Sequence, residues 1–190
     1  QFLEVVAAPA YSDESLKIFM AKPNVRVLSF EPKINDRNKI LSVSGGLLIQ
    51  SADNKIIAED DLEVVTKREP NKGEIQNALF AWKVCKYVKS NAIVFAANKQ
   101  TLGIGAGQMS RIDSGKIAAS KAKEFGFSLN GASMASDAFF PFRDNVDNAH
   151  ELGIKCIIQP GGSIKDEEVI QAANETDMSM LFTKVRHFRH

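Results

Sequence analysis

Glu74-Ile-Gln-Asn-Ala-Leu-Phe-Ala-Trp-Lys-Val-Cys-Lys-Tyr-Val-Lys89, followed almost at once by Asn91-Ala-Ile-Val-Phe-Ala-Ala97, decides the fold class. In the first stretch Ile75, Leu79, Trp82, Val84, Cys85 and Val88 recur at helical spacing, so it reads as a strong helix. The second is a short apolar run and reads as a buried strand. Outward from this pair the alternation continues. Lys99-Gln100 turns the chain into Thr101-Leu-Gly-Ile-Gly105, and Ser114 to Phe125 is helical. Met134 to Phe140 holds a short strand and a loop. Asn145 to Gly153 is a helix that Gly153 ends, and Ile154 to Gln159 is a strand. Ser163 to Asn174 is a helix whose early Asp166, Glu167 and Glu168 suit its dipole, and Met178 to Thr183 is the last strand. Strands alternating with helices predict an α/β layered domain, with ligands held by loops at the carboxyl ends of the strands.

Toward the amino end the pattern is β-α-β. Phe2 to Ala8 reads as a buried strand, Ser12 caps a helix running to Met20, and Val25 to Phe30 is a second strand, parallel to the first. Lys39 to Gln50 reads as a hairpin around Gly45-Gly46, and Leu62 to Thr66 as a short strand. The charged, turn-rich Lys67-Arg-Glu-Pro-Asn-Lys-Gly73 marks a boundary, giving an organisation of 1–66 and 67–190. The 190 residues are 44% hydrophobic and 25% charged, which is a globular composition and argues against disorder. A formal net charge of +1 gives no reason to expect nucleic acid or an acidic membrane surface as a partner. Cys85 and Cys156 both sit in apolar runs and read as buried free thiols rather than a disulfide framework. No apolar run approaches the roughly 18 residues of a membrane span, and no signal-peptide pattern is present, so a cytoplasmic location is expected.

Four segments carry chemistry. Gly103-Ile-Gly-Ala-Gly-Gln-Met-Ser-Arg111 places glycines between a strand and a helix, where backbone can approach a ligand and Arg111 can hold a carboxylate. Its G-x-G-x-G spacing is not the dinucleotide fingerprint, and a tight turn with a surface arginine explains it equally. Ser136-Asp-Ala-Phe-Phe-Pro-Phe-Arg-Asp144 sets three phenylalanines among three charges, which fits a stacking wall for a flat heterocycle better than a loop plugged into the core. Gln159-Pro-Gly-Gly-Ser163 reads as an anion- or amide-binding turn, or as plain helix capping. Arg186-His-Phe-Arg-His190 offers two arginines and two histidines to a phosphate, unless it is a solvated tail. Zinc deaminase chemistry needs a His or Cys with Glu and then Pro-Cys-x-x-Cys; neither is present. No G-x-S-x-G serine hydrolase motif occurs.

Together with Ser90-Asn-Ala-Ile-Val94, Phe2-Leu-Glu-Val-Val6 and Ser42-Val-Ser-Gly-Gly-Leu-Leu48, these segments resemble the AICAR transformylase part of the bifunctional AICAR transformylase/IMP cyclohydrolase family, across the whole chain. The resemblance implies a cytidine-deaminase-like three-layer α/β/α fold without zinc. It implies formyl transfer from 10-formyltetrahydrofolate to the 5-amino group of AICAR, giving FAICAR in purine biosynthesis. It also implies a homodimer with shared sites. By the same resemblance Asn91, Phe139 and Arg186 bind AICAR, Arg186 through its phosphate. Ser110, Arg111, Phe139, Pro141, Phe142, Asp144, Ser163 and Ile164 line the folate side, with Asp144 on the pterin edge. The resemblance leaves room for a structural monovalent cation near Ser90-Asn91 and the terminal strand, but no ligand spacing here commits to one.

The catalytic Lys-His pair of the family has no counterpart, because no Lys-His dipeptide occurs in the sequence. The general acid/base step assigned to that histidine therefore has no holder here. The expectation is a carboxyl-terminal piece of a larger polypeptide, inactive alone, and the start at Gln1 rather than Met points the same way. A subunit of a split enzyme and a non-catalytic folate- or nucleotide-binding module are the other readings.

Overall fold

The computed structural model describes residues 3–32 and 38–189, so Phe2 and His190 of the motifs above lie outside it. The chain divides into two compact units, Gln1–Asn54 and Lys55–His190.

In the first unit β1 (Val5–Ala8) and β2 (Arg26–Ser29) pair in parallel across α1 (Asp13–Met20). Ser12 caps α1 as its sequence foretells, accepting a hydrogen bond from the Ser15 amide at 3.2 Å. The Tyr11 hydroxyl lies within 3.0 Å of the Val6 carbonyl oxygen and 2.9 Å of that of Leu28, bridging the two strands. β3 (Lys39–Val43) and β4 (Gly46–Gln50) form the expected antiparallel hairpin, with Gly45 at φ +81 in the turn. The expectation of a buried first strand fails. β1 alternates between exposed and half-buried, because its sheet has two strands and α1 buries no residue.

The second unit is a six-stranded mixed sheet in the order β5-β10-β9-β8-β6-β7. Its strands are β5 (Glu63–Val64), β6 (Ile93–Ala97), β7 (Gln100–Gly105), β8 (Ser133–Ser136), β9 (Cys156–Gln159) and β10 (Ser179–Phe182). β8, β9 and β10 are parallel, β6 runs antiparallel to both β7 and β8, and β5 antiparallel to β10. Alternate residues feed opposite faces. Val94, Ala135, Ile158 and Leu181 meet Ala78, Ala81, Trp82 and Cys85 of α2 (Lys72–Cys85). Phe95, Met134, Ile157 and Met180 meet Ala118 and Ala122 of α3 (Arg111–Glu124), Val146 and Ala149 of α4 (Asp144–Glu151), and Val169 and Ala172 of α5 (Asp166–Glu175). Helices therefore cover both faces, which is the expected α/β/α layering.

Two details correct the sequence reading. Gly103 and Gly105 lie inside β7, not in a ligand loop. A Cβ on either would strike the carbonyl oxygen of Ala118 or Ser114, so these glycines let α3 lie close against the strand. The stretch from Lys67 is stitched into the second unit. The Lys67 amide donates to Asn174 Oδ1 at 2.7 Å, and Arg68 forks onto Glu74 at 2.6 and 3.1 Å and reaches Ser179 Oγ at 2.5 Å. With Ile57 already 3% exposed in the core, the division falls at Asn54 rather than at Lys67.

Candidate functional site

Strand direction gathers the singled-out segments. Ile93, at the start of β6, is registered with Gly105 at the end of β7 and with Ser136 at the end of β8. β9 and β10 run parallel to β8, so Gln159 and Phe182 end at the same edge. Asn91, Ser110-Arg111, Asp137 to Asp144, Pro160 to Ile164 and Thr183 to Arg189 are therefore the loops of one sheet edge, at the carboxyl ends of four strands.

At the centre of this edge is Asp137, fully buried. Its carboxylate accepts hydrogen bonds from Ser90 Oγ and, at 3.1 Å, from the Arg111 guanidinium. Its carbonyl accepts from the His187 amide at 3.0 Å, and the Arg189 amide donates to Ser90 Oγ at 3.1 Å. The tail is thus tied down, not solvated. His187 is 1% exposed with its ring 4.7 Å from that of Trp82, so it does not serve the phosphate role read for the tail's histidines. Arg111 is held by Asp137 on one side, while its buried Nε–H has no acceptor among the described residues.

Arg186, exposed, lies over the half-buried ring of Phe139 with Cζ 4.8 Å from the centroid, and a Cβ on Gly162 would stand 3.7 Å from its Nη2. This brings the loops after β8, β9 and β10 to one guanidinium. The aromatic run is divided. Phe140 is a core residue at 0% exposure, Phe139 carries Arg186, Pro141 is half-buried, and Phe142 is exposed. Asp144 opens α4 with Oδ1 accepting from the Asn145 amide at 2.8 Å and from Asn145 Nδ2 at 3.0 Å. Its Oδ2 makes no hydrogen bond to the described residues. A cavity of about 100 Å³ between α3 and α4 is lined by Ile112 and Asn145, the chain neighbours of Arg111 and Asp144, and by Phe95 and Met134.

Other expected residues are engaged locally. Ser110 is the N-cap of α3, with its Oγ accepting from the Asp113 amide at 3.1 Å and donating to Asp113 Oδ2 at 2.7 Å. That cap starts the helix at Arg111, three residues before the Ser114 read from the sequence. Asn91 donates from Nδ2 to the Gln108 carbonyl at 2.9 Å. The turn read as an anion site already holds an anion, since Asp166 accepts from the Gly162 amide at 2.7 Å and the Ser163 amide at 3.2 Å. Ser163 Oγ accepts from the Lys165 amide at 3.1 Å, and Ile164 is fully exposed. Asp137 and Ser90 are what the sequence reading missed, because they pair across 47 positions. The Asp166 cap was visible as a Gly-Ser start with an acid three residues on.

Burial also governs the thiols. Cys85 is pushed well above the ordinary thiol range, first by burial and then by the Asp137 charge. Cys156 is pushed up to about 12, first by burial and then by the Glu74 charge. Both are inert core groups, as read from the sequence. Among the described residues no cluster of three His, Cys, Asp or Glu side chains could hold a metal ion, and no helix is long and apolar enough to cross a membrane.

The model of the AICARFT/IMPCHase bienzyme family matches residues 1–121. The chain belongs to that family. Its membership places it in purine biosynthesis, with an enzyme of this bienzyme class. Asn91, Ser110 and Arg111 lie within the matched residues; Phe139, Pro141, Phe142, Asp144, Ser163, Ile164 and Arg186 lie beyond them. Among solved structures, a Thermotoga maritima diaminohydroxyphosphoribosylaminopyrimidine deaminase/5-amino-6-(5-phosphoribosylamino)uracil reductase is 15% identical. It aligns over 58% of this chain and 35% of its own, with a TM-score of 0.40. Acinetobacter baumannii RibD matches in two forms. Form 1 is 13% identical over 57% of this chain and 33% of that one, at TM-score 0.40; form 2 is 14% identical over 55% and 32%, at 0.37. The bienzyme-family chain thus spans about a third of the length of these structures.

Proposed function

We propose that this chain supplies the ligand-holding edge of an AICAR transformylase, where 10-formyltetrahydrofolate donates its formyl group to the 5-amino group of AICAR. In this reaction the amine nitrogen forms a bond to the formyl carbon and the carbon–N10 bond breaks. The products are FAICAR and tetrahydrofolate, and one proton moves from the amine to N10. The observation that carries the reading is the seating of Arg186 over Phe139 beside Gly162. It is a cation paired to a flat face, suited to an anionic nucleotide.

On this reading Arg186 meets the AICAR phosphate, Phe139 packs on the heterocycle and Asn91 Oδ1 faces the nucleotide. Arg111, oriented by Asp137, meets the folate. Asp144 Oδ2, which makes no hydrogen bond to the described residues, takes the N–H edge of the pterin, near the exposed ring of Phe142 and Pro141. Ser110, Ser163 and Ile164 shape the same wall. The small cavity beside Ile112 and Asn145 supports the folate assignment. Proton movement falls to a Lys-His pair outside this sequence. Of the described histidines, His187 is buried against Trp82 and His150 sits exposed at the far end of α4. A homodimer with a shared site, set in the cytoplasm, belongs to the same proposal.

Calorimetric titration tests it. The chain should bind AICAR and a folate while transferring formyl groups at a negligible rate. Arg186→Ala should weaken AICAR by about 1–3 kcal/mol and leave folate unchanged, and Asp144→Ala should do the reverse. Equal loss of both ligands in either variant, or turnover at the rate of an intact transformylase, would sink the assignment.

A further inference from the structure

Outside the Arg186–Phe139 cluster, a cavity of about 280 Å³ opens beside the carboxyl half of α2. Trp82 and His187 line it, with Tyr87 and three lysines, Lys55, Lys83 and Lys86, and no lining residue is acidic. Lys86 Nζ donates to the Lys55 carbonyl at 3.0 Å, which holds the Lys55–Ile57 strap in place as one wall. Trp82 is 1% exposed, yet its indole N–H has no acceptor among the described residues. Leaving a buried donor unmade costs about 1–3 kcal/mol, and an indole can only donate, so what the site lacks is an acceptor. The Trp82 and His187 rings, each 1% exposed, pack 4.7 Å apart and tilted by 43° at the base of the cavity, and the exposed phenol of Tyr87 gives its open aromatic surface. A basic cavity with an orphan donor and aromatic walls has a definite complement.

We propose that this cavity binds a small aromatic anion, a single ring bearing a carboxylate or phosphate, with an acceptor on Trp82 Nε1 and its charge among Lys55, Lys83 and Lys86. The cavity adjoins the proposed transformylase edge through His187, but none of the residues assigned to AICAR or folate lines it, and its ligand need be neither substrate of that reaction.

Trp82 is the single tryptophan of the chain, so its fluorescence reads this cavity directly. Titrating the chain with benzoate and with phenyl phosphate distinguishes the two anionic groups. At least one should shift the Trp82 emission saturably. Benzamide, the same ring without charge, should bind about tenfold more weakly, and exposed Lys83→Glu should weaken the anion about tenfold, ~1.4 kcal/mol. Followed by calorimetry, Trp82→Phe should lose affinity while keeping the ring. A response that never saturates with either anion overturns the proposal. So does equal binding of benzamide, or an affinity that Lys83→Glu leaves unchanged.

Discussion

Asp137 shows how one residue organises several loops. Its carboxylate and carbonyl tie together the start of β6, the start of α3 and the tail after β10. Removing one member of a buried ion pair leaves the other charge uncompensated, so Asp137→Ala should cost about 3–5 kcal/mol of unfolding free energy in urea. Asp137→Asn, which keeps the shape and an acceptor for Ser90, should cost less. The thiols give a second test at this scale. Cys85 and Cys156 should resist a thiol reagent at pH 8 until the chain unfolds. The folded protein holds the Cys156 proton up to about 12, while the unfolded chain releases it near ~8.5. The folded state therefore binds more protons between those values. The stability is whole below ~8.5 and falls as pH rises toward about 12. A urea midpoint that stays level across that window would contradict the sign.

At the scale of elements, the contact of α3 with β7 is the most exacting. Backbone carbonyl oxygens of Ser114 and Ala118 occupy the space a side chain at Gly105 or Gly103 would need, and a helix backbone does not swing aside as a flexible side chain does. Gly105→Ala should lower the melting temperature by several degrees, consistent with an overpacking cost of about 1–3 kcal/mol or more. Little or no change would mean that α3 can shift freely on the sheet. This is also where sequence reading and structure part most instructively. G-x-G-x-G is equally a ligand loop and a close-packing strand, and the arbiter is a helix carbonyl that no local pattern reveals. The same holds for Gly162-Ser163, whose amides are met by Asp166 from the following helix.

At the scale of the molecule, the two units differ in how much they bury. Every residue of β3 and β4 is exposed, including Ile40, Leu47 and Ile49, whereas β8, β9 and β10 are buried throughout. Amides of β3 and β4 should exchange with deuterium by local opening, orders of magnitude faster than those of β6, β8 and β9. Matching rates in the two units would show that something covers the hairpin. The layered α/β class, the β1-α1-β2 start, the hairpin at Gly45-Gly46, the free buried thiols and the family itself were all determined by sequence. They rest on periodicity, capping and motif order, which are properties of short stretches. Tertiary structure alone decided that five separated loops share one edge and that Asp137 anchors Ser90 and Arg111. It also decided that Arg186 lies on Phe139 and that a basic cavity stands beside Trp82. Those facts depend on strand direction and on which side chains meet across tens of residues, where burial and charge select partners that local spacing does not encode.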